Sequence, residues 1–153
     1  MKLYLYKELI SHQTDYTSIT FDQSYEDETK IYSAGRFKSL NSKYGKHQIN
    51  TLTGDLELSA YEDEINIQTV ESTANKITIN GKYIDSVIGL RDQSYVLSTD
   101  IKYGKVDYNE SDVEMKRYIK ADDRLELEAH SKHKKTNPIK VTIKGYEVDV
   151  IIE

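Results

Sequence analysis

Ile139-Lys140-Val141-Thr142-Ile143-Lys144-Gly145-Tyr146-Glu147-Val148-Asp149-Val150-Ile151-Ile152 alternates apolar with polar side chains over most of its length. The period is two, that of a pleated strand with one buried face, and not the 3.6 of a helix. With Lys144-Gly145 read as a two-residue turn, Ile143 faces Tyr146, Val141 faces Val148 and Ile139 faces Val150, giving one wholly apolar face. The same register sets Lys140 opposite Asp149. A slip of one residue would turn the apolar row to water, so the pairing is strongly specified.

Working outward, Asn80-Gly81 is the dipeptide that most readily takes the two positive φ angles of a tight hairpin turn, which sets Ile77 against Ile84 and Thr78 against Tyr83. A third hairpin is expected around Thr53-Gly54-Asp55, where Leu56, Leu58 and Ala60 alternate with Glu57, Ser59 and Tyr61. Ile65 and Ile67 open another strand after the acidic Glu62-Asp63-Glu64 turn. Weaker alternation marks Leu3/Leu5, Ile19/Phe21, Tyr95/Leu97, Val106/Tyr108 and Leu125/Leu127/Ala129. Ten or more short strands at this spacing predict an all-β fold of antiparallel hairpins in a sandwich or small barrel. Two segments are ambiguous. Ser111 and Glu114 resemble a capping box with Met115, Tyr118 and Ile119 at helical spacing, although Val113, Met115 and Ile119 also alternate; Thr29 to Leu40 can likewise be read either way.

The 153 residues suit a single domain, with the polar Glu71-Ser72-Thr73 run between Val70 and Asn75 as the alternative boundary. No repeat of fixed length and no Gly/Ser- or Pro-rich linker stands out. Leu, Ile, Val and Phe make up about a quarter of the chain, enough apolar surface to fold. Thirteen Tyr beside two Phe, one Pro and no Trp also favour half-buried pleated surfaces. The formal charge of −5 offers no general attraction to phosphate or anionic lipid. Without cysteine there are no disulfides, thiolate metal sites or cysteine nucleophiles. Lys2 and Lys7 interrupt the N-terminal apolar residues, so neither an export signal nor a membrane span is expected.

Catalytic patterns are weak. Glu114-Met115-Lys116 with Asp107 or Asp112 matches the loose carboxylate-lysine arrangement of magnesium-dependent phosphodiesterases, where carboxylates hold the cation and lysine steadies developing charge. A second Glu-x-Lys at Glu28-Thr29-Lys30 shows how readily that match arises by chance. His12-Gln13-Thr14 has half of a two-histidine phosphoesterase signature, and no second half follows His47, His130 or His133. His130 and His133 would sit on opposite faces of a strand, and their lysine-rich surroundings repel cations. No cofactor or metal is expected.

Interaction features are clearer. His130, Lys132, His133, Lys134 and Lys135 form one basic patch on an acidic chain, able to meet phosphates or an acidic protein surface. Acidic runs at 22–28, 62–64 and 107–114 could pair with it between copies. Tyr4, Tyr6, Tyr83, Tyr95, Tyr103, Tyr108 and Tyr118 suit sheet packing, a protein interface or base stacking. Tyr4 and Tyr6, with the C-terminal Ile151 and Ile152, are candidate edge residues for strand addition or a subunit contact. A Lys/Ile/Asn/Tyr-rich, Pro-poor composition is that of an AT-rich bacterial or bacteriophage genome. The leading expectation is therefore a non-enzymatic binding or assembly module, a virion structural protein of tail, baseplate, neck or capsid, with itself or other virion proteins as partners. The alternatives are a small inhibitor acting by protein binding and a single-strand nucleic-acid binder.

Overall fold

The computed structural model describes the backbone of residues 2–6 and 9–16, and residues 18–153 in full. Fourteen strands follow one another: β1 (Lys2–Tyr6), β2 (Leu9–Tyr16), β3 (Ile19–Tyr25), β4 (Glu28–Ala34), β5 (Phe37–Lys43), β6 (Lys46–Leu52), β7 (Leu56–Tyr61), β8 (Glu64–Val70), β9 (Lys76–Ile88), β10 (Tyr95–Lys102), β11 (Lys105–Asp107), β12 (Val113–Ala121), β13 (Arg124–Ser131) and β14 (Ile139–Ile152). Among the described residues the only helical turn is Glu110–Asp112, where the Asn109 side chain accepts from the Ser111 N–H at 3.1 Å. The two ambiguous segments resolve as strands: β12 takes the first, and β4 and β5 the second.

The strands form one mixed, unclosed sheet, dominated by parallel pairs. β3, β5, β7, the first half of β9, the first half of β14 and β10 lie side by side in one row. β4, β6, β8, the second half of β9, the second half of β14 and β11 lie in another. The rows face each other, since Phe21 on β3 and Phe37 on β5 pack against His47 on β6, with ring centroids 6.1 and 5.4 Å apart. The chain thus winds in flattened coils, each a strand out and a strand back, stacked in parallel register. β1 and β2 pair with β3 and β4 as a further coil at one end.

This corrects the three expected hairpins. The chain does not fold back beside itself at Asn80-Gly81 or Lys144-Gly145; β9 and β14 run on through those points and bend from one row into the other. Ile77 lies beside Leu56 and Val141, not Ile84, and Ile143 beside Ile79 and Thr99, not Tyr146. β7 pairs with β5 and β9 rather than with β6, so Thr53-Gly54-Asp55 connects successive coils. Antiparallel pairing among the described strands is confined to β10–β13 and β13–β12. The polar Glu71-Ser72-Thr73 run is a surface connection in the same stack, and β7 and β8 both pair with β9 across it.

Parallel stacking puts equivalent residues of successive coils into columns. Ile31, Ile49, Ile67, Ile88 and Ile152 form one, entirely buried. Ile19, Phe37, Leu56, Ile77, Val141, Leu97 and Ala129 form the facing one. At about 1.5–3 kcal/mol per buried large aliphatic side chain, these columns supply the main driving force. Small residues fill the position before the bend in five coils, Ser24, Ser42, Ala60, Gly81 and Gly145, and Ile101 takes it in the sixth.

The order of coils in space departs from their order in sequence. β14 is inserted between β9 and β10, and joins the coils before residue 88 to the coil formed by β10 and β11. Gly145, at the bend of this inserted strand, has no room for a side chain: a Cβ would lie 2.1 Å from the Gly81 carbonyl oxygen. We expect Gly145→Ala to cost about 2–4 kcal/mol, beyond an ordinary glycine substitution, because the clash is with backbone. Denaturant unfolding checks this; a change under about 0.5 kcal/mol would contradict the stacking described.

Candidate functional site

The bend between the two rows recurs in every coil from β3 onward and builds a regular surface. Each bend turns on one residue in the left-handed region: Glu26 (φ 53), Tyr44 (φ 59), Glu62 (φ 57), Tyr83 (φ 58), Glu147 (φ 50) and Tyr103 (φ 55), in spatial order. Non-glycine residues adopt this conformation at a cost of about 1–2 kcal/mol each. Backbone bonds between coils hold it. The Glu26 N–H donates to the Lys43 carbonyl at 2.8 Å, Tyr44 to Tyr61 at 3.0 Å and Glu62 to Lys82 at 2.9 Å.

The preceding residue alternates too: Tyr25, Lys43, Tyr61, Lys82, Tyr146, Lys102. The bends therefore read Tyr-Glu, Lys-Tyr, Tyr-Glu, Lys-Tyr, Tyr-Glu, Lys-Tyr, and the rings interlock. Tyr25, Tyr44, Tyr61, Tyr83, Tyr146 and Tyr103 form an unbroken run with centroid separations of 5.5, 5.9, 5.4, 5.9 and 5.3 Å, each pair edge to face. Each such contact contributes about 0.5–1.5 kcal/mol beyond area burial.

Three of these phenols, Tyr61, Tyr83 and Tyr103, sit above their ordinary pKa. For Tyr61 and Tyr83 the leading cause is removal from water among the other rings, reinforced by the hydrogen bond to Glu62 in Tyr61 and by Glu147 near Tyr83. For Tyr103 it is the hydrogen bond to Asp123, which also holds Lys102 above its usual range and is itself depressed by them. Toward the β11 end the ridge opens into a groove of about 500 Å³ lined by Tyr83, Tyr103 and Tyr146 with Asp85, Glu147 and Asp149.

A second polar cluster lies in the core beneath the ridge. The His47 Nδ1 is 2.9 Å from Thr29 Oγ1, and its Nε2 is 3.3 Å from Asp63 Oδ2 and 3.4 Å from Ser42 Oγ. Asp63 Oδ1 also accepts the Gly45 N–H at 3.1 Å. With the Nε2–H donating to Asp63, Nδ1 accepts from the Thr29 hydroxyl, so one tautomer serves both ring nitrogens. The order hydroxyl, imidazole, carboxylate is that of a nucleophile relay. Both ring and carboxylate are fully buried, however, and Phe21 and Phe37 pack on the ring, so the relay meets no substrate. Its role is to bind three successive coils together.

The residues singled out from the sequence are scattered. His130, on β13, lies 3.2 Å from Glu128; the Lys132 ammonium donates to the Ser111 carbonyl at 2.6 Å; and His133 approaches Asp92 at 4.0 Å. Lys134 and Lys135 are exposed. The basic patch is thus partly neutralised by its own chain, and His133 borders an open hollow of about 730 Å³ that also meets Arg91, Asp92, Asp112 and Glu153. Glu114 and Lys116 form an exposed ion pair on β12, which depresses the Glu114 carboxyl. Among the described residues no group of three His, Asp or Glu side chains is arranged to hold a metal ion. Ile151 and Ile152 lie on an interior strand: Ile151 between Val87 and Asp107, Ile152 beside Ile88. They form no edge, because β14 is the central insertion. Tyr4 and Tyr6 lie on β1, the last strand at one end of the sheet, and their side chains, with those of His12 and Thr14, fall outside the described residues.

The tyrosine ridge and the His47 cluster are features that pairwise strand reading misses. Two tetrapeptides, Lys43-Tyr44-Gly45-Lys46 and Lys102-Tyr103-Gly104-Lys105, and two tripeptides, Tyr25-Glu26-Asp27 and Tyr61-Glu62-Asp63, are the signals that mark the bends. The chain matches no protein-family model, no curated protein sequence and no solved structure. Among the described residues no helix is long and apolar enough to cross a membrane.

Two outcomes follow for this region. Replacing His47 by Leu strands the buried Asp63 carboxylate with one remaining donor, and we expect a loss of about 3–5 kcal/mol in denaturant unfolding; a neutral result would refute the relay as drawn. Native Tyr61, Tyr83 and Tyr103 keep their protons to higher pH than the same phenols unfolded, whose pKa is about 10. Between the two values the native state binds more protons, so stability is complete below pH 10 and falls as pH rises through the native pKa values. Phenolate absorbance against pH should show these rings ionising late, and an ordinary titration of all thirteen tyrosines would contradict it.

Proposed function

We propose that this chain is a non-enzymatic binding and assembly module, and that its setting is the bacteriophage virion. The observation that carries the assembly reading is the contrast between the two ends of the stack. At one end β12 pairs only with β13 and carries Lys116, Arg117 and Lys120, with a break in register between Met115 and Arg117. Charged residues and a bulge are the devices by which proteins stop further strand addition. At the other end β1 and β2 are likewise flanked on one side only and also break register, between Leu3 and Tyr4 and between His12 and Asp15, so the contrast rests on the charged residues of β12. An assembly contact through β1, where Tyr4 and Tyr6 lie, fits that asymmetry.

Support for a non-catalytic role comes from the His47 cluster, whose chemistry is sealed in the core. The virion setting rests on composition alone. The nucleic-acid reading is less well supported: the Lys132 ammonium is held by the Ser111 carbonyl, and the ridge sets Glu62 and Glu147 among Lys43, Lys82 and Lys102, so it presents no uniformly positive track for phosphates. Light scattering and native mass spectrometry test assembly. We expect a defined oligomer that dissociates to folded monomers on Leu5→Pro, which removes a β1 backbone donor. A monomer at the highest attainable concentration would overturn the assembly reading, and absence from purified virions by mass spectrometry would overturn the setting.

A further inference from the structure

We propose that the ridge of bends is a binding track for a neutral, extended glycan of β-1,4-linked pyranose units. The exposed rings are Tyr44, Tyr83 and Tyr103, at 40%, 39% and 53% exposure. All three occupy the left-handed bend position, and one occurs in every second coil. Strand spacing sets their separation at about 9.6 Å, two steps of roughly 4.8 Å. Tyr61 and Tyr146 fill the gaps, half-buried, and hold the exposed rings edge to face.

The repeat selects the ligand. A linear polymer lying along the bends meets an exposed tyrosine once every two coils and charged groups of both signs between. A polyanion would meet Glu62 and Glu147 in that repeat, and a polycation Lys43, Lys82 and Lys102, so a neutral chain is preferred. An extended peptide gains no ladder here, because backbone donors at the bends are already bonded to the next coil. A β-1,4-linked glycan is neutral and rich in hydroxyls, and turns its apolar C–H face to the same side once per disaccharide, a length close to two strand spacings. Its C–H faces suit the tyrosine rings, and its hydroxyls suit the carboxylates and ammonium groups between. The groove at Tyr83, Tyr103 and Tyr146, with Asp85, Glu147 and Asp149 on its walls and a volume of about 500 Å³, is of a size for such a unit.

This inference does not depend on assembly through β1, and a chain that stays monomeric can still bind. The test is calorimetric titration of the full chain with cellohexaose and chitohexaose, with maltohexaose, whose α-linkages coil the chain, as the control. We expect saturable binding of at least one β-1,4 hexasaccharide, at least tenfold tighter than maltohexaose. Removing a ring that stacks on sugar should weaken binding about three- to tenfold, so Tyr83→Ala with Tyr103→Ala should lose tenfold or more. Tyr32→Ala, at an exposed tyrosine off the ridge, should change nothing. In the unaltered protein, tyrosine fluorescence should respond saturably to the bound hexasaccharide and not to maltohexaose, a readout that stands even where the double variant fails to fold. No heat and no fluorescence response with either β-1,4 hexasaccharide, equal binding of maltohexaose, or full binding by a folded double variant would each overturn the proposal.

Discussion

Parallel backbone pairing between successive coils is the constraint on which everything else depends. Once the strands of one coil lie in register on those of the next, every position becomes a column, and a residue is judged by what stacks above and below it. That is why the isoleucines gather in one buried line. It also explains why the polar exceptions fall where they do: His47 shares its column with Thr29, its Nδ1 partner. On the surface the same rule pairs unlike charges between coils, as in Lys38 with Glu57 and Lys46 with Glu64, each near 3 Å. Such exposed pairs contribute little stability, about 0–1 kcal/mol each. They do favour one register, because a displaced coil would set lysine against lysine or carboxylate against carboxylate.

Columns make a stack extensible, and two features limit it. The β13–β12 hairpin reverses the strand direction beside β10, so the surface it presents no longer repeats the coil. Arg124 reinforces the junction, bonded to Asp100 on β10 at 2.8 and 2.9 Å, with Arg117 2.9 Å from Glu126 farther out. The insertion of β14 between β9 and β10 then ties this end to the coils made earlier in the chain. Neither β10 nor β11 pairs with β9 in the sheet, so the far end is held through β14.

The alternation that marks strands was legible in the sequence, and the long apolar rows of 139–152 and 77–88 are indeed strands with alternate residues buried. What local alternation does not contain is whether a chain that bends at a glycine returns in the same sheet or in the facing one. Both arrangements bury every second residue on each side of the bend, so Asn80-Gly81 and Lys144-Gly145 satisfied the hairpin reading without being hairpins. The repeat was obscured for a related reason. Ile31, Ile49 and Ile67 are spaced by eighteen residues, but the Glu71 to Asn75 connection lengthens the next interval, and the coils of β10 and β14 stack out of chain order. The edge assignment of Ile151 and Ile152 failed because position at the end of a chain says nothing about position in a sheet. The basic patch was legible as charge, and its partners Ser111 and Asp92 were not, being remote in sequence.

The occupants of the bend position bear on why the ridge exists. Glycine takes the left-handed conformation freely, yet all six bends from Glu26 to Tyr103 carry Glu or Tyr there. Ring contacts offset the backbone strain at Tyr44, Tyr83 and Tyr103, which is enough to account for tyrosine at those places. It does not account for the strict intervening Glu62 and Glu147, exposed side chains that do not join the run of rings. Packing therefore explains half of the alternation. The carboxylates tie into the ridge by polar contacts instead, Glu62 through its hydrogen bond to Tyr61 and Glu147 through its charge beside Tyr83, so ring packing and these contacts together hold the alternation.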